Sequence, residues 1–205
     1  MCVAALALVM GAGALASTLN QVVPSTGGVA GHDYAYWLQR DWEFYFASPS
    51  QCQTATVGGQ TVSLAESIGG GNSSCHMPAG HPIFVNSLST ECSTIPGHHN
   101  GWGTSKSQLQ KCSRTVTEKA RITEWLDGQR VPNFGRVFWK TVTQFSVNVP
   151  AGRFKGFNGG QVRAAAWGWS LLLKKLPKGK HTVRCRAFYP NGKLEFQDRI
   201  TLYIS

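Results

Sequence analysis

The sequence lacks the short motifs by which many catalytic sites are recognised. It contains no G-x-S-x-G nucleophile elbow, no Walker loop, no G-x-G-x-x-G fingerprint, no H-E-x-x-H zinc motif and no EF-hand loop. These absences make an enzyme less expected. They do not exclude one, because catalytic side chains can meet in space from distant parts of a chain.

Basic residues are almost missing from the first half of the chain. Residues 1–100 carry one basic side chain, Arg40, against five acidic ones, whereas residues 101–205 carry nineteen basic against five acidic ones. This asymmetry favours an anionic partner such as an acidic polysaccharide, a wall polymer or lipid head groups. The alternative is a solvated sheet face on which Arg and Lys alternate along strands. No nucleic-acid-binding motif is present, so nucleic acid is not an expected partner.

An uncharged, almost wholly apolar run stands at the N-terminus, and no other stretch is long enough to cross a membrane. Residues 1–16 are uncharged and apolar and end in Ala14-Leu15-Ala16, the A-x-A pattern of a signal-peptidase site. The run is shorter than the roughly 20 residues that a membrane-spanning helix needs. It predicts a signal peptide and a secreted, extracellular or cell-envelope protein, although no Lys or Arg precedes it; a buried N-terminal helix is the alternative. Residues 17–33 carry Pro24 and a Ser-Thr-Gly-Gly run, which predicts a flexible linker.

The cysteines form no C-x-x-C pair, which argues against a zinc knuckle and a thioredoxin-type motif. Removal of the signal would leave Cys52, Cys75, Cys92, Cys112 and Cys185. In an oxidising compartment we expect two disulfides and one spare thiol. The sequence neighbours, Cys52–Cys75 and Cys92–Cys112, are the favoured pairs, while other pairings stay open. Strand alternation places Cys185 on an inward face, which predicts a buried free thiol.

The pattern of apolar residues predicts a mainly β fold. Aromatic residues recur every three or four positions from Tyr34 to Phe46, which indicates one substantial helix that begins near Asp33 and ends at Ser48-Pro49-Ser50. The remaining chain predicts strands over 60–64, 83–85, 120–125, 136–143, 145–149, 162–173, 182–188 and 194–204. We therefore expect residues 34–205 to form a single two-sheet β-sandwich, immunoglobulin-like or jelly-roll in topology.

Two segments resemble a largely uncharacterised group of secreted bacterial proteins. CHMPAGHPIF at residues 75–84 is similar to that group's C-x-V-P-A-G-x-x-[IL]-F segment. GWSLLLKKLPKGKHTV at residues 168–183 resembles its near-terminal pattern G-[YW]-x-x-x-L-x-x-L-x-x-G-x-H-T-[VI]. The resemblance implies a β-sandwich and export. The run from Leu176 to Gly192 also resembles the turn between late strands of immunoglobulin-like domains, with His181 where a tyrosine is usual.

Four histidines form the candidate metal site of the sequence. His76, His81, His98 and His99 lie near Glu91, and imidazole and carboxylate groups together suit zinc or copper. A secreted metal-dependent enzyme is therefore one hypothesis. The alternative is a set of solvated loop histidines without a metal, and no other cofactor is expected.

Aromatic and basic residues suggest a polymer-binding face. Trp167 and Trp169 are two positions apart and so share one face of a strand. The basic candidates cluster around one turn: Lys174, Lys175, Lys178 and Lys180. Exposed aromatic rings beside such charges can bind sugars or polyanions, although Trp167 and Trp169 could instead be core residues. The leading hypothesis is a non-catalytic domain that binds an anionic or carbohydrate partner; a structural component of a surface assembly is a further alternative.

Overall fold

The computed structural model describes residues 18–48, 50–66, 70–97, 102–115 and 117–205. The helices that lie wholly in this part of the chain are α1 (Tyr34–Ala47), α2 (Lys106–Thr115) and α3 (Phe134–Val137). The strands are β1 (Gly28–Val29), β2 (His32–Asp33), β3 (Cys52–Val57), β4 (Gln60–Glu66), β5 (Gly71–Met77), β6 (Ile83–Ser93), β7 (Arg121–Leu126), β8 (Gln129–Arg130), β9 (Trp139–Val149), β10 (Gly160–Leu173), β11 (Gly179–Phe188) and β12 (Leu194–Ile204).

Ten of the strands form two five-stranded sheets, which confirms the expected mainly β, two-sheet fold. Sheet I has the order β3-β4-β6-β10-β9, and sheet II has the order β5-β12-β11-β7-β8. Most neighbours are antiparallel, but β4 pairs with β6 and β5 pairs with β12 in parallel. The core lies between the sheets and under α1, which packs on β9, β10 and β6 of sheet I.

The N-terminal helix has the boundaries that its sequence predicts. The Asp33 side chain accepts a hydrogen bond from the Tyr36 backbone N–H (2.9 Å) at its start, and Ser48 caps its end. Trp37 and Phe46 are fully buried against sheet I, and each such side chain contributes roughly 2–3 kcal/mol of hydrophobic stabilisation. The helix is thus held mainly by its aromatic face.

Three sequence expectations about local structure differ from what is observed. Residues 18–33 lie against the domain instead of forming a free linker, since the Val23 N–H donates to the Leu172 carbonyl (2.8 Å) and the Tyr34 hydroxyl donates to the Val23 carbonyl. Helix α2 is a second substantial helix. Residues 136 and 137, expected to begin the strand 136–143, belong to helix α3.

The signal peptide predicted for residues 1–16 lies outside the described residues. No described helix is long and apolar enough to span a membrane.

Both favoured disulfides are present. The Cys52–Cys75 bridge joins β3 to β5, which are edge strands of the two sheets, with a Cα–Cα distance of 5.4 Å. The Cys92–Cys112 bridge joins β6 to α2, with a Cα–Cα distance of 5.9 Å. One bridge therefore connects the two sheets, and the other holds a helix on sheet I.

Cys185 is a free thiol on the inward face of sheet II, as the alternation of β11 predicts. Burial raises the pKa of this thiol well above its usual range, and the neighbouring Glu124 and Asp198 raise it further. Because the reactive species is an accessible thiolate, we expect iodoacetamide to leave Cys185 unmodified in the native protein and to modify it fully in denaturant. Peptide mass spectrometry of the fragment that carries Cys185 measures both states. Rapid labelling of the native protein would contradict the burial of this strand face.

Candidate anion-binding face

The outer face of sheet II is open to solvent. Along β7, β11 and β12 the inward residues are buried, while their outward neighbours are exposed or half-exposed. The outward positions along most of the five strands are occupied by Asn72, Ser74, His76, Thr123, Trp125, Arg130, Lys180, Thr182, Arg184, Arg186, Gln197, Arg199, Thr201 and Tyr203, and none of these is acidic. At the end of the face where β7 begins, the same alternation continues to Arg121, Phe188 and Glu195. We call this surface the basic face.

A row of arginines crosses the basic face. In the strand register Arg130 on β8 is opposite Trp125 on β7, Trp125 is opposite Arg184 on β11, and Arg184 is opposite Arg199 on β12. Like charges directly opposite each other in a sheet are destabilising. We call Arg130, Arg184 and Arg199 the arginine row.

The side chains around Arg184 show how these charges are accommodated. Its guanidinium group lies 5.4 Å from the centre of the Trp125 ring, a cation–π distance. Arg186, one step along β11, donates from Nε to the Gln197 side-chain oxygen (2.8 Å). Desolvation, followed by the charges of Arg186 and Arg199, lowers the pKa of Arg184. Arg184 therefore lies beside two further positive charges, Arg186 along its own strand and Arg199 opposite it.

Among the described residues, the ion pairs Arg40–Glu43, Arg114–Glu118 and His181–Asp127 do not involve the arginine row. Tyr203 lies farther along the basic face, with its ring stacked on His76 at 4.7 Å and Lys180 opposite it on β11. The surface thus combines uncompensated arginines with two aromatic side chains that reach solvent.

Comparisons with known proteins give no family for the chain. No protein-family model and no curated protein matches it. Among solved structures, the cysteine protease inhibitor EhICP2 from Entamoeba histolytica aligns over 70% of this chain and 96% of its own, at 12% identity and a TM-score of 0.28. Amebosin aligns over 69% of this chain and 96% of its own, at 7% identity and a TM-score of 0.24. The bradyzoite-specific antigen BSR4 from Toxoplasma gondii aligns over 75% of this chain and 51% of its own, at 13% identity and a TM-score of 0.20. Superpositions this weak carry no functional argument.

The tryptophans proposed as ligand-binding residues belong to the core. Trp167 is 4% exposed and Trp169 is 2% exposed. The two rings are in edge contact at 4.6 Å, and the Trp169 indole N–H donates to the Gly135 carbonyl (3.1 Å). They lie on β10, the fourth strand of sheet I, and are therefore not available to a polymer. The lysines of the proposed cluster at Lys174, Lys175, Lys178 and Lys180 are all exposed, and Lys180 is the one that lies on the basic face.

Two of the four histidines proposed as metal ligands, His76 and His81, lie in the described structure. His76 is exposed on β5, whereas the His81 ring nitrogen Nδ1 lies 3.2 Å from the Thr61 carbonyl oxygen. Glu91 is fully buried on β6. His98 and His99 lie outside the described residues. Within the described ranges no group of three or more Asp, Glu, Cys or His side chains is placed to hold a metal ion.

Two clusters of buried carboxyl groups were not anticipated from the sequence. Under α1, Asp41 accepts a hydrogen bond from the Asn86 side chain (2.7 Å), and Glu66 is opposite Asn86 in the sheet register. Burial raises the pKa of Asp41 to about 7, and burial together with Asp41 raises the pKa of Glu66 to about 9. These groups are therefore largely protonated in the folded protein at moderately acidic pH.

The second cluster lies between the sheets. Glu124, Cys185 and Asp198 are consecutive neighbours across β7, β11 and β12, and the Ser87 hydroxyl donates to Glu124 (2.9 Å) from sheet I. Burial raises the pKa of Glu124 well above its usual range. Strand alternation contains a partial signal for this cluster, because it assigns Asp198 to the inward face of β12. The sequence contains no comparable signal for Asp41 or Glu66.

Proposed function

We propose that this protein is a non-catalytic binding domain, secreted or attached to the cell envelope, that holds an acidic polysaccharide on the basic face. The observation that carries the proposal is the direct opposition of Arg184 and Arg199, in one row with Arg130 and with no carboxylate in the register of that row. An arrangement that costs stability in the free protein is relieved when a polyanion neutralises it.

The spacing of the charges favours a polymer over a single ion. Adjacent strands lie about 4.8 Å apart, so the backbone positions of Arg184 and Arg199 are about 5 Å apart, and Arg130 is roughly 10 Å from Arg184. Guanidinium groups bind carboxylate and sulfate oxygens through two parallel hydrogen bonds. Trp125 and Tyr203 add aromatic surface on which sugar rings can pack.

The two disulfides support the proposed compartment. Disulfides persist in oxidising surroundings such as the extracellular space and are rare in the cytosol. They agree with the export that residues 1–16 predict. Edman sequencing of protein recovered from the producing cell, with a mature N-terminus expected near Ser17, tests this part of the proposal.

Charge reversal in the arginine row is expected to weaken polymer binding. The variant R184E/R199E should elute from a heparin column at clearly lower salt than wild type, because it removes two charges from the row and introduces two repulsive ones. Binding of the wild type itself should fall steeply with salt, since screening shortens from about 10 Å at 0.1 M to about 3 Å at 1 M. Salt-gradient elution measures both effects.

The control variant is K106E/K155E, which changes the net charge by the same amount at two exposed lysines, one on α2 and one between β9 and β10 of sheet I. Its elution should shift less than that of R184E/R199E. Equal shifts for the two variants would show that only net charge matters, and the proposed site would be wrong.

A further inference from the structure

A groove runs along β7 beside the basic face. Its volume is about 1040 Å³. It lies beside the first half of β7, next to the segment 131–136 that follows β8. This volume is at the upper end of the range for ligand pockets, roughly 300–1,000 Å³. It is therefore large enough for a sugar unit and not only for a small ion.

Three arginines from three different elements line the groove: Arg121 at the start of β7, Arg130 on β8 and Arg136 on α3. Within the described residues none of their guanidinium groups forms a hydrogen bond or an ion pair. Planar guanidinium groups without internal partners are suited to bidentate binding of an oxyanion. The lining thus specifies an anionic ligand.

The rest of the lining also includes apolar side chains. Ala120, Pro132 and Phe188 reach the groove, while Ile122, Val131 and Phe134 are buried beneath it. An inorganic anion gains nothing from such a surface. A ligand that carries its oxyanion on a ring with apolar C–H faces would use both parts of the groove, and an acidic sugar has this chemistry.

The groove is held in place by close backbone contacts. A Cβ atom at Gly135 would lie 2.6 Å from the Ile122 carbonyl oxygen, so α3 can lie this close to β7 only because position 135 is glycine. The Val131 N–H also donates to the Glu124 carbonyl (2.8 Å). Arg136 is therefore presented from a fixed segment.

Arg130 belongs both to the groove and to the arginine row. The two surfaces are consequently continuous, and one polymer chain can contact both. We infer that the groove binds a single uronate or sulfated sugar residue and thereby fixes the position of the polysaccharide on the basic face. This inference rests on the proposed function, which it deepens by assigning a specific sugar subsite.

The test uses short and long ligands. A heparin hexasaccharide and a hexamer of galacturonate serve as probes of the groove, the first carrying sulfate and carboxylate groups and the second carboxylate groups alone. We expect R121A/R136A to weaken binding of at least one hexasaccharide tenfold or more by calorimetry, while K106A/K155A, at two exposed lysines on the side of sheet I, leaves it within twofold. If R121A/R136A loses affinity for the heparin hexasaccharide alone, the groove binds sulfate. If it loses affinity for both hexasaccharides, the groove binds carboxylate.

A second variant separates geometry from charge. R121K/R136K keeps the net charge but replaces the planar guanidinium groups with ammonium groups. Because an ammonium group cannot form the two parallel hydrogen bonds to an oxyanion, hexasaccharide affinity should still fall several-fold. Unchanged affinity in both the Ala and the Lys variants would overturn the groove inference. If R184E/R199E nevertheless lowers retention of the heparin polymer, the proposed function stands without the groove. If wild type retains no heparin polymer in low salt, the proposed function itself fails.

Discussion

The double variant D41N/E66Q is expected to be more stable than wild type above pH 7 and to lose much of the dependence of stability on pH. The folded protein holds protons on these two carboxyl groups, whose pKa values burial raises from 3.8 to about 7 and from 4.5 to about 9. The unfolded chain releases them near pH 4. The free energy of unfolding therefore falls as pH rises through this interval.

The amide side chains keep the contacts without the ionisation. An asparagine at position 41 can still accept the hydrogen bond that Asn86 now donates to Asp41. The raised pKa of Asp41 alone corresponds to at most about 4 kcal/mol at pH values above 7. Urea unfolding at pH 4, 5, 7 and 9 measures the effect, with the largest gain expected at pH 9 and almost none at pH 4.

The matched control is E43Q on the same helix. Glu43 pairs with Arg40 near the surface, where an ion pair contributes about 0–1 kcal/mol, so this variant should keep the pH profile of wild type. Some pH dependence should also remain in D41N/E66Q, because the pKa of Glu124 is raised independently in the other cluster. A profile for D41N/E66Q that parallels wild type between pH 5 and 9 would contradict the assignment of buried, protonated carboxyl groups under α1.

The variant C52A/C75A is expected to lower the free energy of unfolding by about 3 kcal/mol. The bridge closes a loop with a sequence separation of 23, and its loss gives the unfolded chain more freedom. It also removes the covalent connection between the edges of the two sheets, so the whole sandwich should lose stability together. Urea unfolding followed by tryptophan fluorescence measures the change.

The second bridge provides the comparison. C92A/C112A opens a loop of similar separation, 20 residues, so its global cost should also be about 3 kcal/mol. Its local effect should differ, because this bridge holds α2 on sheet I. Limited proteolysis should cut within residues 106–115 in C92A/C112A but not in C52A/C75A. Identical cleavage of both variants would show that the bridge is not what retains α2.

Strand alternation predicted the parts of the fold that have one buried face. The inward positions of β11 and β12 follow directly from the period of two, and with them the buried state of Cys185. Strand β5 was missed because GNSSCHM contains no β-branched residue. Its place in the sheet comes from pairing with β12, a partner far away in sequence. Helix α2 was missed because KSQLQKCSRT is mostly polar and owes its position partly to a disulfide.

The sequence predicts that part of the surface is basic, but it does not predict where on the fold the basic residues meet. Charge asymmetry indicated a basic surface, and the alternation of Arg184 and Arg186 on one strand already implied a shared face. The opposition of Arg184 and Arg199 depends on strand register, which the sequence does not state. From the sequence, Trp167 and Trp169 could be either ligand-binding or core residues. The nearly unbroken apolar run of β10 is, however, typical of a strand covered on both faces.

The parallel pairing of β5 with β12 has a consequence for the order of folding. Gly71 pairs with Asp198, and Met77 pairs with Ile204, so β5 gains its full neighbour in the sheet only after residues 198–204 have been synthesised. A growing chain on the ribosome can form the β3–β4 hairpin early. Strand β5, in contrast, has no partner in sheet II until β12 has been made. Closing so long a stretch of chain is entropically slow. We therefore expect nascent chains that end before β12 to expose an unpaired strand edge and to depend on chaperones until synthesis has passed this point.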